Sequence, residues 1–262
     1  MKVVKADLPS EYKKLEIHPL ADLHIGDAMC DYKLILEELE YIKNTPNAVC
    51  LLDGDLMDTA IAQSVGDTYG ANLQPKQQLE HCVKLFKPLA DAGKILAVVG
   101  GNHENRVYKE TGIDMTALMC AQLGIADRYS ETTAVVIIRF GDAGTTHHHR
   151  KMCYTLYMTH GSGGGGRKEG GKINRLADLA EIVDADIYVH AHTHLPAAFR
   201  NRFFRIDTSN NCLTQVEHLF VNTAARLNYG GYGDKAAFKP SSTINPVIIL
   251  YGDGKKKMKA LV

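Results

Sequence analysis

Seven side chains of metal-binding type stand in five short motifs along this chain: Asp22-Leu23-His24, Gly54-Asp55-Leu56-Met57-Asp58, Gly101-Asn102-His103-Glu104, Thr159-His160-Gly161 and Ala191-His192-Thr193-His194. Carboxylate, imidazole and side-chain amide together suit divalent ions of intermediate hardness, such as manganese, iron or zinc. Two such ions side by side suit hydrolytic attack on phosphorus, because they acidify a shared water and bind phosphoryl oxygens. Each motif alone is weak. Asp-x-His is frequent, Gly-Asp is an ordinary turn, and an isolated Asn reads as a turn residue. Their conjunction in one order carries the inference.

Elements must bring these residues together. Leu15 to Ala21 reads as a strand that ends at Asp22. Asp31 can cap a helix whose apolar face is Tyr32, Ile35, Leu36, Leu39 and Ile42. Val49 to Leu52 is a short buried strand delivering Asp55. Gln77 to Ala92 reads as a helix, and Ile95 to Val99 as a strand delivering Asn102 and His103. This βαβα order predicts a largely parallel sheet. Downstream, Thr133 to Phe140 and Met152 to Met158 read as neighbouring strands around a polar turn that contains His147, His148 and His149. Lys172 to Val183 reads as a helix, with Ile173, Leu176, Ala180 and Val183 on one face. Ile187 to Val189 is a strand delivering His192 and His194. The rest, with Ala197 to Ile206, Gln215 to Ala225 and Val247 to Tyr251, reads as antiparallel strands and loops. Asp22, Asp55, Asn102, His160 and His192 thus each follow the C-terminal end of a strand, the edge where ligand sites gather in layered α/β folds. No repeat or low-complexity linker interrupts the chain, so residues 1–262 read as a single domain.

The bulk composition is that of an ordinary globular protein. The chain has 262 residues, 45% hydrophobic and 23% charged, with a formal net charge of zero. No global field draws it to nucleic acid or an acidic membrane. Six cysteines are scattered without a CxxC pair, which predicts free thiols in a reducing compartment. The N-terminal stretch lacks the apolar segment of a secretory signal, and no run is long enough to span a membrane. The expected location is the cytoplasm.

The five motifs resemble those of the calcineurin-like metallophosphoesterase superfamily, whose pattern is D-x-H, GDxxD, GNH[DE], H and GHxH. The resemblance runs from Asp22 to His194, with Ala191 in place of the usual glycine. It implies a four-layer αββα sandwich. It also implies one metal held by Asp22, His24, Asp55 and His194 and a second held by Asp55, Asn102, His160 and His192, with Asp55 bridging. Manganese is the first choice, with iron, zinc or nickel as alternatives. His190 is a rival in register, but Thr193, Leu195 and Pro196 fit the family's GHTH-x-P and favour His192 and His194. His103 looks like the family's catalytic histidine, acting on the leaving oxygen. Asp58 is the carboxylate expected to orient it, with Glu104 as the alternative.

Departures narrow the reading. The superfamily's protein phosphatases carry Arg-Gly after GDxxD, where this chain has Thr59-Ala60, and purple acid phosphatases place Tyr where Asp58 stands. The expected activity is hydrolysis of phosphate esters, diesters ahead of monoesters, with a nucleotide or nucleic acid as a candidate substrate. A nuclease working with a partner is the alternative, and a non-catalytic binding module on the same fold is a further one. Arg106 could supply the missing phosphate-binding charge. Arg167 and Lys168, in a glycine-rich loop, are candidate contacts to a longer polyanionic substrate. Gln63 to Lys76 reads as a polar loop at one wall of the cleft. Lys255, Lys256, Lys257 and Lys259 read as protection of an edge strand.

Overall fold

The computed structural model describes residues 1–9, 11–61, 70–141, 152–163, 168–253 and 255–262. In chain order the elements are β1 (Lys2–Leu8), β2 (Lys14–Leu20), α1 (Tyr32–Asn44), β3 (Ala48–Asp53), α2 (Pro75–Asp91), β4 (Ile95–Val99), α3 (Asn102–Thr111), α4 (Met115–Leu123), β5 (Tyr129–Ser130), β6 (Thr133–Phe140), β7 (Cys153–Thr159), α5 (Glu169–Asp178), β8 (Ile187–His190), β9 (Ala197–Asp207), β10 (Cys212–Asn222), α6 (Gly231–Lys235), β11 (Val247–Tyr251) and β12 (Met258–Leu261).

The strands form two six-stranded sheets, ordered β12-β11-β2-β3-β4-β5 and β1-β6-β7-β8-β10-β9. In the first, β2 to β5 run parallel, as the βαβα pattern predicts, and β11 and β12 add antiparallel strands at one side. The second is mixed: β1 lies parallel to β6, β7 and β8 are parallel, and β9 closes the edge antiparallel to β10. Strands β3 and β4 are buried throughout, which is why they read as unbroken apolar runs.

Between the sheets, Leu15, Ile17, Val49, Leu51 and Val99 pack in one core with Val136, Ile138, Leu156, Met158, Val189 and Val221. Outside the first sheet, Ile35, Leu39 and Ile42 of α1, Phe86 and Leu89 of α2, and Met119 and Leu123 of α4 join Cys50, Leu52 and Val98. Outside the second, Leu176 and Leu179 meet Tyr157, Tyr188 and Phe220. The result is the αββα sandwich.

Several local expectations need correction. Leu36 is 46% exposed, because the buried stripe of α1 follows Ile35, Leu39 and Ile42 and leaves it on the flank. Helix α5 starts earlier than read, at Glu169, takes Gly170 and Gly171 into its first turn, and passes into a 3₁₀ turn at Leu179–Glu181. Strand β1 and helices α3 and α4 are additions to the elements expected from sequence. The alternation of buried Val4, Ala6 and Leu8 was the available signal for β1, whereas the apolar residues of α4 show no helical stripe. Strand β12 is a sheet edge, as expected, and the exposed Lys256 just before it also bonds Asp186 at 2.7 Å. The three histidines of the polar turn, and residues 63–69 of the cleft loop, lie outside the described residues.

Candidate metal centre

The site is built first from backbone. Asp22, His24, Asp55, His192 and His194 all have positive φ, between 47° and 64°, and Thr59 has φ 44°. For residues other than glycine this is the sparsely populated left-handed region, and such residues cluster at functional sites. The strained loops are bonded to one another. The Asp22 N–H donates to the Gly54 carbonyl at 3.1 Å, and the His24 N–H to the Asp55 carbonyl at 3.0 Å. Glycine is required twice here. A Cβ on Gly101 would collide with the backbone N and side chain of Asp55, and one on Gly54, at φ +78°, would lie 2.7 Å from Gly101 Cα. Ala191 is buried but is not among the residues with positive φ, so its replacement of glycine costs no strain.

Side chains then converge from the strand ends. Donor atoms of Asp22, His24 and His194 lie within 4.8 Å of one another, as do those of Asp55, His160 and His192. His194 Nε2 lies 3.0 Å from Asp22 Oδ1. His160 Nε2 lies 3.1 Å from Asp55 Oδ2 and 3.0 Å from Asn102 Oδ1. Backbone groups fix the outer side: the Asp53 carbonyl lies 2.7 Å from His160 Nδ1, and the His192 N–H donates to Asp22 Oδ2 at 2.9 Å. These residues fit a pair of divalent ions. The donor set is mixed carboxylate, imidazole and amide, and His24 Nε2 is buried without a hydrogen-bond partner.

The charges agree with that fit at Asp22, Asp55, His24 and His192. Burial alone would raise the Asp22 carboxyl, but His194 overrides it and holds it at about 2. Burial also opposes ionisation of Asp55, and His160 carries it well below the ordinary carboxylate range. Burial pushes His24 down to about 3, with the charge of His103 acting the same way, and burial lowers His192. Ionised carboxylates and neutral imidazoles are the forms that ligate divalent cations. His160 runs the other way: burial lowers it, but the neighbouring Asp55 carboxylate overrides this and raises it well above the ordinary imidazole value, so it would give up that proton on ligating a divalent cation.

His103 stands beside these groups, its ring 4.4 Å from that of His24 between centroids. Its Nδ1 lies 2.8 Å from the Asp58 carbonyl and 3.1 Å from Asp58 Oδ1. Burial lowers its pKa, yet the bond to Asp58 wins and holds it above the ordinary imidazole value. His24, Asp58 and His103 form a third close group, but Asp58 and His103 are there bonded to each other.

Of the two carboxylates read for His103, Asp58 makes the bond and Glu104 does not. Glu104 turns back over the start of α3 and accepts from the N–H groups of Met57 at 2.9 Å, Asp55 at 3.1 Å and Gly101 at 3.2 Å. Arg106 is brought in: its Nη2 lies 2.8 Å from His103 Nε2, while Nη1 is buried without a partner. Lys168 stands at the N-cap position of α5 and is exposed. Arg167 lies outside the described residues. His190 stays out of the metal-type groups, since its Nδ1 lies 2.8 Å from Asn222 Oδ1.

Sequence reasoning missed the supports. The Thr59 hydroxyl donates to the His103 carbonyl at 2.5 Å, and the Thr59 N–H donates to Gln78 Oε1 at 2.7 Å. Gln78 is fully buried, and its spacing four residues before Cys82 and eight before Phe86, on the apolar stripe of α2, was the signal the sequence offered.

The profile of the calcineurin-like phosphoesterases matches residues 20–196. No curated protein matches the chain. A conserved uncharacterized protein, a predicted phosphoesterase of Streptococcus pneumoniae TIGR4, is 16% identical, covering 95% of this chain and 97% of that one, with a TM-score of 0.35. Vps29 of Entamoeba histolytica in a single-mutant form is 14% identical, covering 94% and 98%, with a TM-score of 0.39. Its wild-type form complexed with Zn²⁺ is 13% identical over the same shares, with a TM-score of 0.37.

Proposed function

This chain belongs to the calcineurin-like phosphoesterase family, and we propose that it is a binuclear metal-dependent phosphoesterase, acting on diesters ahead of monoesters. The supporting observation is the convergence of Asp22, His24 and His194 in one group and Asp55, His160 and His192 in another. In this reading one ion takes Asp22, His24, Asp55 and His194, and the other takes Asp55, Asn102, His160 and His192. Manganese is the preferred metal. When bound, the pair would bind phosphoryl oxygens and acidify a water for attack on phosphorus near neutral pH.

The chain's own residues do the rest. His103, held at Nδ1 by Asp58, carries a proton at Nε2 for the leaving oxygen. Arg106 occupies Nε2 in the present arrangement, so it must turn its guanidinium toward the substrate for His103 to act. Glu104 is a positioning residue that holds the Asp55 loop. Arg167 and Lys168 would reach the distal part of a longer substrate.

The diester preference rests on charge. A monoester carries about two negative charges near neutral pH, a diester one. The residue after Asp58 is Thr59, whose hydroxyl is spent on the His103 carbonyl, so that position supplies no cation. One domain is proposed because β11, from the end of the chain, pairs on β2. A cytoplasmic location is proposed because all six cysteines are free thiols. Among the described residues, no helix is long and apolar enough to cross a membrane.

The test is the manganese-loaded protein, its metal content measured by elemental analysis. Two ions per chain are expected, with higher kcat/KM on bis(p-nitrophenyl) phosphate than on p-nitrophenyl phosphate. A monoester preference that disappears in Arg106→Ala would overturn the diester reading and identify Arg106 as the cause. A protein with two ions that hydrolyses neither ester, nor cyclic nucleotides, dinucleotides or DNA, would be a binding module. DNA as the preferred diester would make it a nuclease.

A further inference from the structure

The peptide unit that joins Asp58 to Thr59 is held from both sides. Its carbonyl, that of Asp58, lies 2.8 Å from His103 Nδ1, and its N–H, that of Thr59, donates to Gln78 Oε1 at 2.7 Å. In a trans peptide these two groups point in opposite directions and the bond between them resists twisting. One rigid plane therefore links the Gln78 amide to the His103 ring. A carbonyl oxygen only accepts, so Nδ1 is the ring nitrogen that carries the fixed proton and Nε2 is the one left for chemistry. Thr59 grips the same residue again, its hydroxyl donating to the His103 carbonyl at 2.5 Å.

That plane needs an outer restraint. Thr59 is β-branched and stands at φ 44°, where such side chains are genuine outliers. A conformation of this kind persists only where its surroundings over-determine it. Gln78 is fully buried on the apolar stripe of α2, and both ends of its amide are in use, because Nε2 donates to the Leu73 carbonyl at 2.8 Å. The second bond fixes which end faces Thr59. An aliphatic side chain of the same size would fill the core equally well. It would leave the buried Thr59 N–H without an acceptor and the plane free to turn.

We infer that Gln78 is a positioning residue for His103: it holds the Asp58–Thr59 peptide so that the Asp58 carbonyl fixes Nδ1 and leaves Nε2 for the leaving oxygen. This role rests on the reading of His103 as the acid of a phosphoesterase. Gln78 itself touches no reacting group. A Gln78 that served the core alone would affect stability, but neither the split between kcat and KM nor the dependence on the leaving group.

Gln78→Met keeps the volume and removes both hydrogen bonds. At a metal content equal to wild type, it should lose roughly tenfold to a hundredfold in kcat on a dialkyl phosphate, the scale of a small misplacement of a catalytic group. KM should not change, and the loss on bis(p-nitrophenyl) phosphate should be slight, because nitrophenolate leaves without help from an acid. Gln78→Glu should restore kcat, since its carboxyl accepts from the Thr59 N–H whether or not it is protonated. In a His103→Ala background, Gln78→Met should cost nothing further. One readout needs no turnover. In the zinc-treated, diamagnetic protein, the downfield NMR signal of the His103 Nδ1–H, assigned by its loss in His103→Ala, should move in Gln78→Met and return in Gln78→Glu. A folded Gln78→Met with wild-type kcat on the dialkyl ester, an unmoved signal, or an equal loss in the His103→Ala background overturns the role. Where Gln78→Met does not fold, Gln78→Glu decides: retained kcat and signal uphold the role, and their loss overturns it. A wild type that hydrolyses no ester overturns the phosphoesterase reading instead, and the NMR signal alone then decides whether Gln78 places the ring.

Discussion

Five of the seven proposed ligands hold backbone conformations that L-residues avoid. At about 1–2 kcal/mol each, this strain is large beside the usual worth of a hydrogen bond. Asp and His tolerate the left-handed region better than most residues, so ligand chemistry and backbone demand select the same side chains. The site therefore separates by role. Asp55→Asn removes the charge shared by both ions and should lower metal content and turnover together. His103→Ala should keep both metals and lose roughly 10²–10⁴ in kcat. Elemental analysis beside initial rates separates the two. Wild-type kcat for His103→Ala on an ester with a poor leaving group would remove His103 from the chemistry.

Between elements, the buried ion pair of Glu38 and Arg226 ties α1 to the segment after β10. That segment closes behind the site, since the Arg226 N–H donates to the Asp22 carbonyl at 2.9 Å and the Arg226 carbonyl accepts from Asp31 at 2.8 Å. Burial opposes ionisation of Glu38, but His18 Nδ1 at 3.2 Å and Arg226 hold its carboxyl below the ordinary value of 4.5. A carboxyl depressed in the folded state contributes stability that is fully present above its unfolded pKa. That stability is lost as pH falls through the folded value. Glu38→Gln leaves Arg226 buried without its charge partner and should cost about 3–5 kcal/mol near neutral pH. The loss should shrink below about pH 4.3, where the unfolded carboxyl takes up its proton. Urea unfolding across acidic pH checks this, and a loss that stays constant with pH would contradict it.

At the scale of the molecule, two sheets and their outer helices align five strand ends on one rim, so the proposed ligands are neighbours only in the folded state. Ions that bind the native but not the unfolded chain stabilise it by mass action, by about 2.7 kcal/mol per site at a hundredfold excess over Kd. For a chain of this size that is roughly 5–10 °C in Tm per site. Calorimetry with manganese, then with excess chelator, should show the rise and its reversal. Saturating manganese without a shift in Tm would mean that the clusters do not hold ions in the native state.

The sequence by itself singled out the residues proposed for the site and determined the parallel half of the fold. Metal ligation and tight strand-end turns accept few residue types, so Asp22, Asp55, Asn102, His160, His192 and His194 are legible from identity and order. Strands buried on both faces, such as β3 and β4, show as continuous apolar runs. Tertiary structure supplied the contacts that separate chemically equal neighbours. Asp58 reaches His103 while Glu104, at the third position of α3, is turned back to cap backbone N–H groups. It also decided that Arg106 meets His103, that His190 is taken by Asn222, and that β1 joins β6 from across the chain. These outcomes depend on helix phase and on pairings between distant segments. Local patterns do not encode them, because the same side chain can face either way until its neighbour across the fold is in place.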